Sequence, residues 1–469
     1  MKSKSLAPRL AAAVLAAGVL VSSAGVAQAS TNVATVSAAK SSAATKQEMY
    51  NFAKSLGEAK TAGQMATVLK ASSADLSDLI TPLSAVPAST TVGATPSGVD
   101  SLGPSAQDII DVIVNRLNPA ADASCPESPM NAWVADQIIP APMPENPTPE
   151  QKDAWGREMA GTIIALQFGS LVPTYQAVWN GPDDKTLTRF GEEQDKTKVV
   201  TQSFKKLKNF WSDVKTGPIT VSAMKDDILT GRTQKDLLNM GVYMSVAAET
   251  IAPTPGAKHL DPRKASEWPA DAKKAMRALS LILTNAFAAA PKTDGGENPV
   301  FTMNAFAMMP EPGFETESGL PKRFVFGDGL LTYLRVAKYS DVAIEGIIGH
   351  EFGHHIQFVL GTDYPEATVP EQTRHSELEA DAYAGYYGAH KLGLNLNKAG
   401  RAETQRIFFD TGDCDVKSDG HHGTPAQRQA SVAWAQQLAD TQKKNGHVFA
   451  AESVRLKFNT QLPTLLTAK

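Results

Sequence analysis

The chain has 469 residues, 42% of them hydrophobic and 20% charged, with a formal net charge of −4. That length and balance exclude a disordered chain and leave room for two or three domains. The acidic sign argues against nucleic acid as a partner.

The first residues have the layout of a secretory signal spanning 1–29: Lys2, Lys4 and Arg9, an apolar run from Leu10 to Val21, then Ala27-Gln28-Ala29. Cleavage there removes three cations and no acid, taking the formal charge from −4 to −7 and starting the mature chain at Ser30. The expected location is therefore extracytoplasmic or secreted. No later apolar run approaches the ~18 residues that span a bilayer, and Ala278 to Ala290 reads as a buried helix, so no stable membrane insertion is expected after cleavage. In an exported chain the two cysteines, Cys125 and Cys414, most simply form one disulfide.

Residues 30–105 are rich in Ala, Ser and Thr and end in a Pro/Gly/Ser stretch from Ser84 to Ser105, the composition of a linker. The segment reads either as a small helical unit or as a removable pro-segment. Residues 106–290 read as helical. Ser105 caps an amphipathic stretch carrying Ile109, Val112, Ile113 and Leu117, and Thr148-Pro149-Glu150-Gln151 is a capping box that opens a helix reaching about Phe168. Further helices are expected over Asp195–Lys215, Lys235–Ile251 and Ala270–Ala290. From 291 to 469 the texture changes, with short strands over Val300–Ala307 and Lys322–Phe326 and a turn at Gly327-Asp328-Gly329 into a helix near Leu330.

The next helix, capped by Ser340 or Asp341 and ended by Gly361, holds Gly349-His350-Glu351-Phe352-Gly353-His354-His355. In His-Glu-x-x-His the helix period stacks His350 above His354 with Glu351 beside them, which suits one metal ion with a base next to it. Ile348, Phe352, Ile356 and Val359 form an apolar ridge on another side. Gly346, Gly349 and Gly353 cost ~1 kcal/mol each in helix propensity, which implies close approach of a second backbone. His355 points away from His354, to packing or a hydrogen bond. The third ligand comes from downstream, where Glu377 and Asp381 share a helix face and Glu379 points the other way. Glu377 is the longer-reaching ligand. Asp381 then accepts the spare N–H of a metal-bound histidine.

These blocks, His-Glu-Phe-Gly-His-His-Ile-Gln, Glu-Leu-Glu-Ala-Asp-Ala-Tyr-Ala-Gly and His422-Gly423-Thr424-Pro425-Ala426-Gln427-Arg428, resemble those of the neutral zinc metallopeptidases. Asn304-Ala305-Phe306-Ala307 and Gly329-Leu330-Leu331 are similar to soluble relatives of the CAAX prenyl proteases; both groups are glutamate-ligand zincins. The resemblance spans roughly Val300 to Gln437 and departs at Ala382 and Tyr386-Tyr387. It implies one Zn2+ per chain on His350, His354 and Glu377, with Glu351 as general base. The fold class expected is α+β and mostly helical: a zincin-like catalytic domain over 291–469, with a small sheet before the metal helix, preceded by helical regions.

A peptide or protein substrate would then add to the sheet edge at Asn304–Ala307. His422, at a helix start, is a candidate to face the developing oxyanion, and Tyr383 is a weaker one. Thr424 and Gln427 form a capping box, so the block around His422 also has a purely local role. The acids Asp410, Asp413, Asp415 and Asp419 lack the ordered spacing of a calcium loop and read as a solvated turn. Two rival functions share the motif: a secreted zinc-containing adhesion protein without turnover, and a zinc amidase acting on a non-protein substrate.

Overall fold

The structure, a computed structural model, describes residues 100–101 and 128–468, apart from 142–145, 232–233, 252–259, 311–317, 362–363, 367, 415, 417–419 and 443–445. The expected signal, the segment from 30 to 99, the helix after Ser105 and Cys125 lie outside the described residues. Cys414 is not a free thiol.

The architecture is mostly helical with one small sheet. Among the described residues four α-helices precede the first long strand: α1 (Pro129–Ile138), α2 (Pro149–Gly169), α3 (Leu171–Asn180) and α4 (Thr197–Phe210). The capping box forms as the sequence requires, with Thr148 Oγ1 accepting from the Gln151 N–H at 3.3 Å and Gln151 Oε1 from the Thr148 N–H at 2.8 Å. Helix α4 starts two residues later than expected because Gln194 takes a left-handed turn at φ 61°. Helices α5 (Gln234–Ile251) and α6 (Ala270–Ala289) pair with each other as the apolar run at 278–290 implies.

The sheet runs in the order β1-β3-β4-β2, where β1 is Asp100–Ser101, β2 Ile219–Met224, β3 Ala305–Met308 and β4 Lys322–Gly327. Strands β3 and β4 are antiparallel with Phe306 opposite Val325, and β2 lies parallel to β4 with Val221 opposite Phe324. Because β2 comes from a region expected to be mostly helical, the sheet joins the middle of the chain to its C-terminal part. One hydrophobic cluster accordingly extends from Met130 to Leu465.

The strand expected over Val300–Ala307 divides. Asn298 Oδ1 accepts from the Val300 N–H at 2.9 Å, and Pro299 fixes the first position of a 3-10 turn over Pro299–Thr302. Only Ala305–Met308 is extended, and it is not the bare edge expected at Asn304–Ala307. Strand β1 lies antiparallel along it, with Asp100 opposite Ala307 and Ser101 opposite Phe306.

After β4 come α7 (Asp328–Val336) and the metal-motif helix α8 (Asp341–Leu360), then α9 (Val369–Ala389), α10 (Lys398–Asp410), α11 (Pro425–Gln442) and α12 (Ala451–Leu465). Ser340 Oγ caps α8 by accepting from the Val342 N–H at 3.2 Å, and Gly361 ends it at φ 72°. Ile348, Phe352 and Ile356 are buried, but Val359 is 36% exposed and leaves the expected ridge. Helix α8 packs against β3, α4, α9 and α10. Among the described residues no helix is long and apolar enough to cross a membrane.

Gly349 and Gly353 have the role expected of the glycine strip, whereas Gly346 faces only side chains of α10, Thr404 at 3.4 Å being the nearest. A Cβ on Gly349 would stand 3.2 Å from Ala384 Cα, and one on Gly353 3.0 Å from Ala380 Cα, so α8 and α9 meet backbone to backbone. On the other side of α9, a Cβ on Gly385 would stand 2.7 Å from the Val432 carbonyl of α11. Gly385→Ala should therefore destabilise by about 1–3 kcal/mol through overpacking, although alanine is the better helix former by ~1 kcal/mol. Thermal unfolding checks this, and a raised melting temperature would refute the close approach.

Candidate metal centre

Helix α8 supplies His350, Glu351 and His354, and α9 supplies Glu377 and Asp381 across the glycine–alanine seam. The first four have at most 1% of their surface exposed, and Asp381 has none. His350 Nε2 lies 3.1 Å from His354 Nε2, while Glu377 places Oε2 3.3 Å from the first and Oε1 3.4 Å from the second. Ligands on a tetrahedral ion with bonds of ~2.0–2.1 Å stand ~3.3 Å apart. His350, His354 and Glu377 thus form a buried group that can hold a metal ion.

The far side of each imidazole fixes its tautomer. His350 Nδ1 donates to Asp381 Oδ1 at 2.8 Å, which leaves the Nε2 lone pair facing Glu377. His354 Nδ1 donates to Gln357 Oε1 at 2.8 Å, and that amide cannot turn round, because its Nε2 donates to the Ser376 carbonyl at 2.8 Å while Ser376 Oγ donates to its oxygen at 3.1 Å. Burial alone would raise the Glu377 carboxyl, but its contacts with the two imidazoles and the charge of His422 hold it well below the usual carboxylate range.

Arg428, on α11 and fully buried, grips Asp381 with both nitrogens of one edge: Nε to Oδ2 at 2.9 Å and an Nη to Oδ1 at 2.7 Å. The same Nη lies 3.5 Å from Glu377 Oε2, and the guanidinium covers Phe408, whose ring packs 5.6 Å from that of His350. Burial works against the Arg428 charge, and Asp381 and Glu377 more than offset it.

His422 is 6% exposed. Its backbone N–H donates to Asp413 Oδ2 at 2.7 Å and its Nδ1 to the same oxygen at 3.2 Å, while His421 Nδ1 meets Asp413 Oδ1 at 2.5 Å. Burial lowers the His422 pKa, but Asp413 and the charge of Glu377 outweigh it and push it up to about 9. Asp413 in turn sits far below the usual range: burial raises it and the two imidazoles reverse the effect. The capping box beside it forms too, with Thr424 Oγ1 accepting from the Gln427 N–H at 3.3 Å.

Several expectations need correction. Tyr383 is turned away from the metal group: its hydroxyl donates to Glu379 at 3.0 Å on the opposite face of α9, so it is not an oxyanion donor. Asp410 and Asp413 are not a solvated turn; both are buried, Asp410 beneath the hydroxyls of Tyr333 at 2.8 Å and Tyr339 at 2.6 Å. Asp415 and Asp419 lie outside the described residues. His355 behaves as expected, its Nε2 donating to the Arg323 carbonyl of β4 at 3.1 Å.

Sequence reasoning missed Gln357, Arg428 and Asp413 as supports of the site. Gln357 was within reach, three residues after His354 on the same helix; the other two depend on tertiary approach.

Glu377→Ala should abolish tight metal binding, whereas Asp381→Ala should weaken it by roughly 10–100-fold, the usual loss when the partner of a ligand histidine is removed. Competition titration against a chelator measures both, and equal losses would refute the division of roles.

Compared with protein-family models, with curated proteins and with solved structures, the chain finds no match.

Proposed function

We propose that this protein is a zinc-dependent metallopeptidase of the glutamate-ligand zincin type, acting on peptide bonds outside the cytoplasm. The observation that carries the reading is the set of three separations of 3.1, 3.3 and 3.4 Å among two unprotonated imidazole nitrogens and a carboxylate, with Glu351 next to His350 on the same helix. Two nitrogens and one oxygen from the protein suit zinc with a coordination position left for chemistry.

When bound, zinc supplies a Lewis acid and lowers the pKa of a water toward ~7. His350 and His354 would hold it through Nε2 and Glu377 through its carboxylate. Glu351 takes a proton from the attacking water as the oxygen adds to the scissile carbonyl carbon, then hands that proton to the nitrogen as the C–N bond breaks. His422, kept charged by Asp413, donates to the oxygen that gains negative charge. Arg428, Asp381 and Gln357 do no chemistry; they hold the imidazoles in one tautomer and one orientation.

Complete burial of the ligands favours a second reading, a protein that keeps its metal for structure. The same experiment separates the two. Glu351→Gln should retain one zinc per chain and the parent's melting temperature while losing nearly all cleavage of a peptide library, and chelation should abolish cleavage in the parent. Metal-replete parent protein that cleaves nothing would leave the structural reading standing.

His422→Gln should lower kcat by about 10²–10³ with zinc content unchanged. A raised pKa means His422 donates below that value and fails above it, so parent activity should decline as pH rises through about 9 or somewhat lower, since a cation beside Glu377 opposes the imidazolium. The variant should lose that alkaline limb. An unchanged limb would move the role elsewhere.

A further inference from the structure

A site that cleaves polypeptides must admit one, yet His350, His354 and Glu351 have no exposed surface and Glu377 only 1%. Two cavities lie elsewhere: one of about 650 Å³ is lined by Phe210, Tyr387 and Phe449, and one of about 400 Å³ by Asp226, Asp227 and Asp328. One route is main-chain pairing along the sheet edge next to the metal helix.

That edge is β3. It packs on α8, and its last residue, Met308, stands opposite Arg323, whose carbonyl accepts from His355, the residue after the ligand His354. The edge is already taken by the chain's own Asp100–Ser101, antiparallel, as an extended substrate would lie. Among the described residues the pairing covers Phe306 and Ala307, the middle of the four-residue strand. The outermost strand of a sheet opens more readily than its centre, so an extended peptide can compete with it. In sequence Asp100 and Ser101 fall inside the Pro/Gly/Ser-rich stretch from Ser84 to Ser105, a composition open to proteolytic nicking.

We infer that Asp100–Ser101 is an internal occupant of the substrate edge, which keeps the protein latent until the segment is displaced or cut away. The inference rests on the peptidase reading for its consequence, but the occupancy has a test of its own.

Proline at either position abolishes one main-chain donor, and only one of the two N–H groups faces β3. Asp100→Pro and Ser101→Pro are therefore made separately in the mature full-length chain. Three quantities are read: zinc content, uptake of a labelled synthetic peptide spanning residues 97–104, and hydrolysis of fluorescein-labelled casein. One variant should take up the peptide, which the parent excludes, and cleave casein about tenfold faster, as when an open state held by about one molecule in ten becomes the whole population. Zinc content should stay the same.

Equal casein cleavage by parent and both variants would overturn the latency and leave the peptidase standing. Peptide uptake without cleavage in any form would keep the edge occupant and discard the peptidase. Neither uptake nor a gain in cleavage, in variants that hold their zinc, would refute the inference outright.

Discussion

The contact on which the rest depends is the backbone-to-backbone approach of α8 and α9. Gly349 sits against Ala384 and Gly353 against Ala380, and no larger side chain fits either position without moving a helix. His350 and His354 stand one turn apart on α8, as do Glu377 and Asp381 on α9. The inter-helix distance therefore fixes the distance from the imidazoles to both carboxylates. Helix α11 closes on the other side of α9 at Gly385 and brings Arg428 into reach of Asp381. The three helices are spaced by what their small residues lack, and the polar groups fall into place as a result.

The metal motif was legible in the sequence because it is local: a four-residue spacing on a helix with a clear cap and stop determines which side chains share a face. Glu377 and Asp381 were legible for the same reason, and Glu379 was correctly set aside on the opposite face. What lay beyond reach depended on segments far apart in the chain. Strand β2 reads Ile-Thr-Val-Ser-Ala-Met among helices, and its parallel partner β4 lies about a hundred residues onward. Parallel pairing leaves no hairpin turn to announce it. The Val300 segment was misread for a different reason: apolar content pointed to a strand, while Asn298-Pro299 had already set a 3-10 turn.

Burial of polar groups in this centre is costly unless each is answered, and the surroundings answer with fixed donors and acceptors. Gln357 is locked by Ser376, Asp381 by Arg428, and both imidazoles of 421 and 422 by Asp413. Such a network gives a site whose geometry exists before any ion arrives. It also makes single removals expensive, since the loss of Arg428 would strand Asp381 and Glu377 as buried carboxylates.

The balance of charge in that network bears on stability. Glu351, Glu377, Asp381 and Asp413 carry four formal negative charges, while Arg428 and the His422 imidazolium carry two positive ones, all within buried surroundings. Two negative charges are in excess among these six groups, the complement of one divalent cation. An ion bound there would link folding to metal uptake: above its dissociation constant, each tenfold rise in free ion would add about 1.4 kcal/mol to the folded state. The lifetime of the fold would then follow the supply of an ion.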